Sequence, residues 1–444
     1  MHTDCRGHAI TTVEPQAATA LDESIGHLVG RRSSLTPTLA RVRELDPNCV
    51  MGQVLTGMMG CGVRKQSGLE SARDAHAVAS AQKEAVTPRE RLYIDVLESA
   101  IAREPDAVVG QLSAILEQSP TDLLASVLIQ GELFWTGDMQ RSAAQSSRVD
   151  SQWSPSVEGY ADWLALRAFD LEETGELALA ERLGRESVER DPHNLWGAHS
   201  VAHVLEMKGE SSEGIRWLDG LKGQWDAGGP MKYHLWWHRC LCHIEQGEHD
   251  AALEIHDTWL RNAELPFQQA LPDFYLDVQN GASNLIRLEL QGVEVGDRWQ
   301  ALGDAIEGSW NDLSNPFTTL HVAMVLAATG QHDRQQTLLS AVNTLVNEHD
   351  SSLATAYSGV PEVLDFIAAH RAGQHKQVAA RGASSRDSLW RLGGSHAQRD
   401  VLFQLLFDSA SRCQDHALIN GIHVDLERIG FINPLERVAY QDAA

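Results

Sequence analysis

Two pairs of histidines are the residues of this chain whose type and spacing best suit chemistry. His199 and His203 lie four residues apart in "HNLWGAHSVAHVLEMKGE", and His234 and His238 repeat that spacing in "YHLWWHRC". Residues four apart on a helix face the same side. Imidazole carries protons near neutral pH, and its neutral form binds zinc or iron. The pairs therefore predict acid–base groups or ligands of a divalent metal on two successive helices.

A carboxylate extends the polar side of the first of these helices. Glu206 follows His203 by three residues, and Trp196 lies one turn before the stripe that both residues form with His199. A carboxylate beside an imidazole orients the ring and tunes its pKa for proton transfer. The predicted catalytic residues are His199, His203, Glu206, His234 and His238, and the four histidines among them are the predicted ligands if zinc or iron binds.

Polar residues farther along the chain are candidates for substrate binding. Asp277, Asn280 and Asn284 are spaced three and four apart in "LDVQNGASNLIRLEL" and form an acidic and amide stripe. In "GGSHAQRD", Ser395 is a predicted N-cap with Arg399 in the first turn, which suits a carboxylate or phosphate anion. The residues predicted to bind substrate are Trp196, Tyr233, Asp277, Asn284, His321, His396 and Arg399.

Each candidate also has a purely structural interpretation. Buried histidines can cap helices and brace their neighbours through hydrogen bonds. His321 stands alone among small residues and fits that interpretation better than a site. The "GGSHAQRD" stretch fits a capped helix with an ion pair between Arg399 and Asp400 equally well.

The sequence lacks the signatures of several common enzyme classes. Ser200 follows His199, so the first histidine pair is not the H-E-x-x-H zinc-protease motif. Neither a G-x-S-x-G elbow, nor a P-loop, nor a dinucleotide-binding fingerprint occurs. We therefore predict no nucleotide cofactor.

The charge balance limits the partners of the chain. It has 61 acidic and 36 basic residues and a formal net charge of −25. Such a charge repels phosphate backbones and anionic membrane surfaces. The chain has neither a signal-peptide pattern nor a run of roughly 18 apolar residues, the length that spans a membrane. The prediction is a cytoplasmic protein with reduced thiols that binds neither nucleic acid nor membrane.

A repeated glycine pattern predicts the elements that position the histidines. A helix that ends in glycine, a polar turn and a second helix recur, for example in "LEETGELALAERL" and "LEMKGESSEGIRWL". Glycine at a helix end adopts the left-handed backbone conformation without a steric cost. A repeat of about 34 residues is typical of tetratricopeptide repeats. The glycines of the pattern are Gly137, Gly175, Gly209, Gly247, Gly330 and Gly373.

These repeats predict an all-α, tetratricopeptide-like α-solenoid. In the linkers "ELDPN", "EQSPTD" and "ERDPHN", proline is expected to end one helix and to start the next. The helix pairs should stack as a right-handed superhelix that can curl toward a closed toroid, without a sheet. We predict one continuous repeat domain over residues 21–440, behind a flexible N-terminal segment, residues 1–20.

A family resemblance agrees with this fold. The stretches that carry it, in chain order, are "LDPNCVMGQ", "TPRERLYIDVLE", "PTDLLA", "DPHNLWGAHSVAHVLEMKGE", "YHLWWHRCLCHIEQGEHDAALEIHD", "LDVQNGASNLIRLELQGVEVGDRWQ" and "LGGSHAQRDVLFQLL". Together they resemble the tetratricopeptide repeat protein 38 family from Leu45 to Leu406. The resemblance implies a helical-repeat protein of the cytosol.

Two functions fit these predictions. In the first, a His-rich concave pocket binds and converts a small acidic or carbonyl-containing substrate by acid–base or metal-assisted hydrolysis or lyase chemistry. In the second, the groove is a non-catalytic scaffold for a peptide or protein partner. A groove for acidic peptides needs several lysines and arginines, whereas these helices favour His, Asp and Trp, which weakens that version of the scaffold. A homodimer is compatible with both functions.

Overall fold

The chain folds as an all-α protein in the computed structural model, which describes residues 2–348 and 350–441. Its internal contacts divide it into two compact units. Unit 1 covers the chain up to Val201 together with Leu221–Lys232, and unit 2 covers Ala202–Gly220 and the chain from Tyr233 onward. Nearly all the secondary structure of the described residues is helical, which confirms the predicted all-α fold class.

Unit 1 consists of helices joined by short turns. Consecutive helices pack on one another, as in the first and second, the third and fourth, and the ninth and tenth, and the first also packs against the seventh and ninth. The helices are α1 (Pro15–Val29), α2 (Leu35–Leu45), α3 (Val50–Gly62), α4 (Gln66–Ser80), α5 (Pro88–Ile101), α6 (Pro105–Gln118), α7 (Leu123–Thr136), α8 (Met139–Val149), α9 (Tyr160–Glu172) and α10 (Leu177–Arg190).

The next helix, α11 (Leu195–Met207), begins in unit 1 and continues into unit 2. The helices that follow are α12 (Ser211–Leu221), α13 (Met231–Glu245), α14 (His249–Ile255), α15 (Pro266–Ala270), α16 (Tyr275–Leu290), α17 (Arg298–Ala305), α18 (Pro316–Ala328), α19 (His332–Glu348), α20 (Ser352–Ala356), α21 (Val360–Arg371), α22 (His375–Ser385), α23 (His396–Cys413) and α24 (His416–Arg428). Within unit 2, α16 packs against both α18 and α23.

The predicted glycine pattern is confirmed in the backbone. All six of its glycines have left-handed φ values, from +69° to +87°, and each is followed two residues later by the next helix. Gly292, with φ +77°, supplies the corresponding turn inside the long interval between Gly247 and Gly330. A residue with a side chain is strained in this conformation. The glycines therefore fix where helices end.

The linker prolines have a narrower role than predicted. Pro47, Pro120 and Pro192 lie in turns, and α3, α7 and α11 each begin three residues later. Polar side chains start two of these helices: Asp122 accepts a hydrogen bond from the backbone amide of Ala125 at 3.1 Å, and Asn194 caps α11. Each proline follows the end of a helix, and at α7 and α11 a capping side chain, not the proline, starts the next helix.

A short β-hairpin precedes α1. His2–Thr3 pairs antiparallel with Ala9–Ile10. The expectation of an entirely sheet-free chain is therefore wrong at this one place among the described residues. Thr11, directly after the hairpin, donates its backbone amide to Glu90 at 2.8 Å. The predicted boundary of the flexible segment, at residue 20, lies inside α1.

The described helices also bear on membrane crossing. Among them, not one combines the length and the apolar character that a transmembrane segment needs.

Candidate metal centre

Three of the four predicted histidines come together in unit 2. His203 on α11 and His234 and His238 on α13 place ring nitrogens within 4.8 Å of one another. Ring centroids lie 4.5 Å apart for His203 and His238 and 4.8 Å apart for His234 and His238. The three residues are buried, with relative exposures of 0 %, 3 % and 1 %. The predicted histidine group is confirmed for these three members.

The fourth predicted member, His199, lies one turn before His203 on the same helix. Its position four residues upstream places it on the same side of α11. Within unit 1, its ring stacks on Trp196 at 4.6 Å and on Phe169 at 5.4 Å, measured between ring centroids. His199 is thus buried between aromatic rings that hold its orientation.

Local sequence explains how α11 and α13 are held. The side-chain oxygen of Asn194 accepts a hydrogen bond from the Gly197 amide at 3.0 Å and caps α11. A Cβ at Gly197 would lie 2.7 Å from Ser187 Oγ, so the glycine lets α10 and α11 approach closely. On α13, the Trp237 indole N–H donates to Ser283 Oγ at 3.2 Å. This bond fixes the rotation of α13 against α16.

Two of the rings have oxygen partners that fix their tautomers. His238 Nδ1 lies 3.2 Å from Glu206 Oε2, and His234 Nδ1 lies 2.9 Å from Asn280 Oδ1. Because both oxygens accept, each Nδ1 carries the proton and each Nε2 carries the lone pair. Histidines that bind metals almost always have such a second partner. The arrangement prepares two Nε2 atoms as ligands.

Burial keeps these rings neutral. It lowers the pKa of His234 and His238 well below the ordinary value, and the nearby His203 lowers both further. A hydrogen bond from His234 to Asn280 partly opposes the shift. Neutral imidazole is the form that binds a metal.

Glu206 lies in a buried network of opposite charges. Burial raises its pKa, and the positive charges of Arg437 and Arg287 oppose that rise. Arg437 forms a two-bond ion pair with Asp400, with both nitrogen–oxygen distances 3.1 Å. The Glu206 Oε1 atom has no hydrogen-bond partner, whereas Oε2 accepts from His238. One carboxylate oxygen therefore orients a ring and the other remains available for a proton.

A small cavity adjoins this network. It has a volume of ≈ 20 Å³, and its lining includes Glu206, Arg287, Gln404 and Arg437. That volume suits a single water molecule. Sequence reasoning missed Arg287 and Arg437, because only the tertiary fold brings them near α11. No spacing signal marks either residue.

Asp277 on α16 is a second buried carboxyl in unit 2. It is 1 % exposed, and neither of its oxygens accepts a hydrogen bond. Burial raises its pKa to about 7, although the charge of Arg261 opposes the shift. Asp277 lies one turn before Asn280, the partner of His234. Its carboxyl can therefore exchange a proton near neutral pH on the helix that supports the histidine group.

The predicted stripe on α16 divides between two environments. Asn280 supports His234, but Asn284 donates from Nδ2 to His256 at 3.1 Å and accepts from the Cys240 thiol at 3.0 Å. Asn280 and Asn284 thus both bond to residues of α13, at different turns of that helix. Substrate binding by Asn284 stays a prediction.

The two predicted aromatic contacts to substrate lie against other aromatic rings. Trp196 donates its indole N–H to Gln130 at 3.0 Å within unit 1. Tyr233 stacks on Phe267 with ring centroids 5.8 Å apart, and both burial and the charge of Asp277 raise its pKa. Tyr233 therefore belongs to the surroundings of Asp277, and the substrate roles of both aromatics stay predictions.

Side chains of the "GGSHAQRD" stretch form hydrogen bonds within the stretch itself. Ser395 accepts from the Gln398 amide at 3.2 Å, which confirms the predicted N-cap. Arg399 donates to the carbonyls of Gly393 and Gly394 and to His396 Nδ1, the last at 2.9 Å. The sequence also allowed an ion pair of Arg399 with Asp400, and the structure shows Asp400 paired with Arg437. Substrate binding by His396 and Arg399 stays a prediction.

His321 on α18 bonds to its own helix. Its Nδ1 donates to the Phe317 carbonyl at 2.8 Å, and the residue is 1 % exposed. Burial lowers its pKa to about 4. This contact favours the structural interpretation of His321, and its contact with substrate stays a prediction.

Replacing His321 with leucine is expected to make the protein less sensitive to acid. The unfolded chain binds a proton at His321 near pH 6.5, whereas the folded chain does so only near 4. Stability is therefore lost as pH falls through that window. Between about pH 7 and pH 5, the free energy of unfolding of the variant should rise by roughly 2 kcal/mol relative to the wild type. Urea unfolding at both pH values measures it, and a pH-independent difference would contradict it.

A comparison of the chain with models of known protein families found none that matches.

Proposed function

We propose that the histidine group binds a divalent metal ion, zinc or iron, and that the protein uses it to hydrolyse or cleave a small acidic or carbonyl-containing substrate. The main support for this proposal is the arrangement of His203, His234 and His238, which are buried and whose ring nitrogens lie within 4.8 Å of one another. Two of these rings have their Nδ1 protons held by Glu206 and Asn280. Neutral rings so oriented are what zinc and iron require.

The number of protein ligands distinguishes a reactive ion from a structural one. Three protein ligands leave one position of a tetrahedral ion open for water or substrate. The sequence also predicts His199 as a ligand, and a fourth protein ligand is typical of a structural ion. A bound ion lowers the pKa of its water to about 7 and polarises a carbonyl oxygen. The three-histidine arrangement is therefore the form in which we expect turnover.

Two buried carboxyls supply the proton transfers of this reaction. One carboxylate oxygen of Glu206 orients His238, and the other oxygen is available to accept a proton. Asp277 has a pKa of about 7, so a large fraction of it is in each protonation state at neutral pH. We assign Glu206 as a positioning group and proton acceptor, and Asp277 as a proton donor or acceptor toward the substrate.

Burial supports a small ligand over a peptide. A peptide groove presents exposed side chains, whereas His203, His234 and His238 are at most 3 % exposed. The charged groups near Glu206 are also paired with one another. The scaffold function therefore has less support than binding of a small molecule.

We also propose that the chain is a tetratricopeptide-like solenoid of the tetratricopeptide repeat protein 38 family, acting in the cytoplasm. Support comes from six left-handed glycines at the predicted repeat positions and from the packing of consecutive helices on one another. The formal charge of −25 also makes nucleic acid an unfavourable partner.

Metal analysis of purified, untagged protein tests the proposal. We expect about one zinc or iron ion per chain at this group, and cobalt substitution should give the visible absorption of a four-coordinate site. Turnover of a panel of small esters, amides and hydroxy acids should stop after chelation and return with metal. A protein that binds no metal here contradicts the site. One that binds metal but keeps its turnover after chelation contradicts the metal's role in catalysis.

A further inference from the structure

A second group of metal-binding side chains lies elsewhere in unit 2. His370 at the end of α21, His375 at the start of α22 and Asp408 on α23 have ligand atoms within 4.8 Å of one another. His370 Nε2 lies 2.9 Å from Asp408 Oδ2. All three residues are only partly buried, so an ion in solution can reach them.

We propose that His370, His375 and Asp408 form a second site for a divalent transition-metal ion, with Zn²⁺ as the expected ion. Two imidazoles and one carboxylate are a ligand set that zinc accepts. The remaining position belongs to water, because the site is open to solvent. This site does not depend on the proposed function of the buried histidine group.

The geometry fits zinc with side-chain movements alone. Ligands at about 2.0–2.2 Å from a tetrahedral ion lie roughly 3.3 Å from each other. The contact between His370 and Asp408 must open slightly from 2.9 Å, and the remaining separations must close from values up to 4.8 Å. His370 and His375 lie at helix ends, and all three side chains are partly exposed, so they can make such adjustments. His375 Nδ1 lies 3.1 Å from Ser409 Oγ, which helps to hold its ring.

The charge at the group suits a cation. Asp408 supplies a carboxylate, whose Oδ2 already accepts a hydrogen bond from His370. Arg412 competes with an ion, since its Nε lies 2.9 Å from both Asp408 oxygens. The Arg412 side chain is 59 % exposed and is free to turn toward water.

The repeat itself provides a matched comparison. His249, His332 and His375 each begin a helix two residues after a left-handed glycine. Only the last of them has a second histidine five residues earlier, where the others have Ile244 and Ala327. The same repeat position therefore becomes a metal site only where His370 and Asp408 join it.

An ion at this site would join three helices. The side chains of His370, His375 and Asp408 come from α21, α22 and α23, so an ion bound to all three resists separation of these helices. Binding to the folded state alone raises thermal stability with ion concentration. We therefore expect zinc to raise the melting temperature of the protein even when the buried group is disabled.

Calorimetric titration of the metal-free, untagged chain with Zn²⁺ tests the second site. The wild type should bind one more equivalent than His375→Ala, and Asp408→Asn should behave like His375→Ala. His249→Ala is the control and should bind as the wild type does. Arg412→Ala removes the competing cation and should tighten the second site by roughly 2–5-fold.

The outcomes separate this site from the buried group. If the wild type binds two ions and His375→Ala one, both sites exist. If the wild type binds one and His375→Ala none, the second site stands without the buried one. Equal stoichiometry and affinity in the wild type and in His375→Ala overturn the second site. If His375→Ala unfolds, the variants Asp408→Asn and Arg412→Ala test the second site instead. The second site is overturned if Asp408→Asn binds as many ions as the wild type and Arg412→Ala binds them with unchanged affinity.

Discussion

His238→Ala is expected to abolish tight metal binding at the buried histidine group. Removing one of three ligands leaves two, and loss of even an outer partner of a ligand costs roughly 10–100-fold in metal affinity. We therefore expect a loss of more than about 100-fold, and His203→Ala should match it. Because both residues are nearly fully buried, each truncation should also lower the free energy of unfolding by about 1–3 kcal/mol. Titration with Zn²⁺ against a competing chelator measures the affinity.

Variants of Glu206 separate orientation from charge. Glu206→Gln keeps an oxygen for the His238 Nδ1 proton, whereas Glu206→Leu removes the acceptor. We expect affinity to fall by up to about 10-fold in the first variant and by roughly 10–100-fold in the second. His256→Leu is the matched control, since it removes another buried histidine whose ring bonds to Asn284. A loss in the control as large as in His238→Ala would mean that general destabilisation, and not ligand removal, lowers the affinity.

Asp277→Asn is expected to stabilise the folded protein at alkaline pH. The pKa of Asp277 in the folded protein, about 7, lies above its ordinary value of 3.8. Between these two pH values the folded chain therefore holds a proton on Asp277 that the unfolded chain has released. Stability is therefore lost as pH rises through this window and stays low above about 7. An asparagine avoids that loss. The gain at pH 8 should approach about 4 kcal/mol and should vanish as pH falls toward about 4.

Denaturant unfolding of the wild type and Asp277→Asn across this pH range measures the effect. A functional carboxyl is expected to destabilise the fold that carries it. The same variant should therefore lose turnover while it keeps its metal, since Asp277 is not among the ligands. A stability difference that does not change with pH would show that Asp277 is ionised or protonated alike in both states. Loss of metal with turnover would move Asp277 into the metal site.

The local features of the fold were predictable from the sequence, because they depend on neighbours in the chain. A left-handed glycine followed by a polar residue ends one helix and permits the next, whatever the surroundings. The glycine turns at Gly209 and Gly247 therefore followed from the sequence, as did the N-cap at Ser395. The pairing of His234 with His238 on one face of α13 follows from helix periodicity in the same way.

The partners of the histidines were decided only by the tertiary structure. Glu206 was placed with His203 by spacing, yet its hydrogen bond goes to His238 on the next helix. Asn280 reaches His234 across 46 residues, and Arg437 reaches Asp400 across 37. Helix periodicity gives the side on which a residue lies, but not the helix that packs there. The burial that keeps the rings neutral comes from that packing, so the sequence determined the candidate ligands and the fold determined their protonation and their partners.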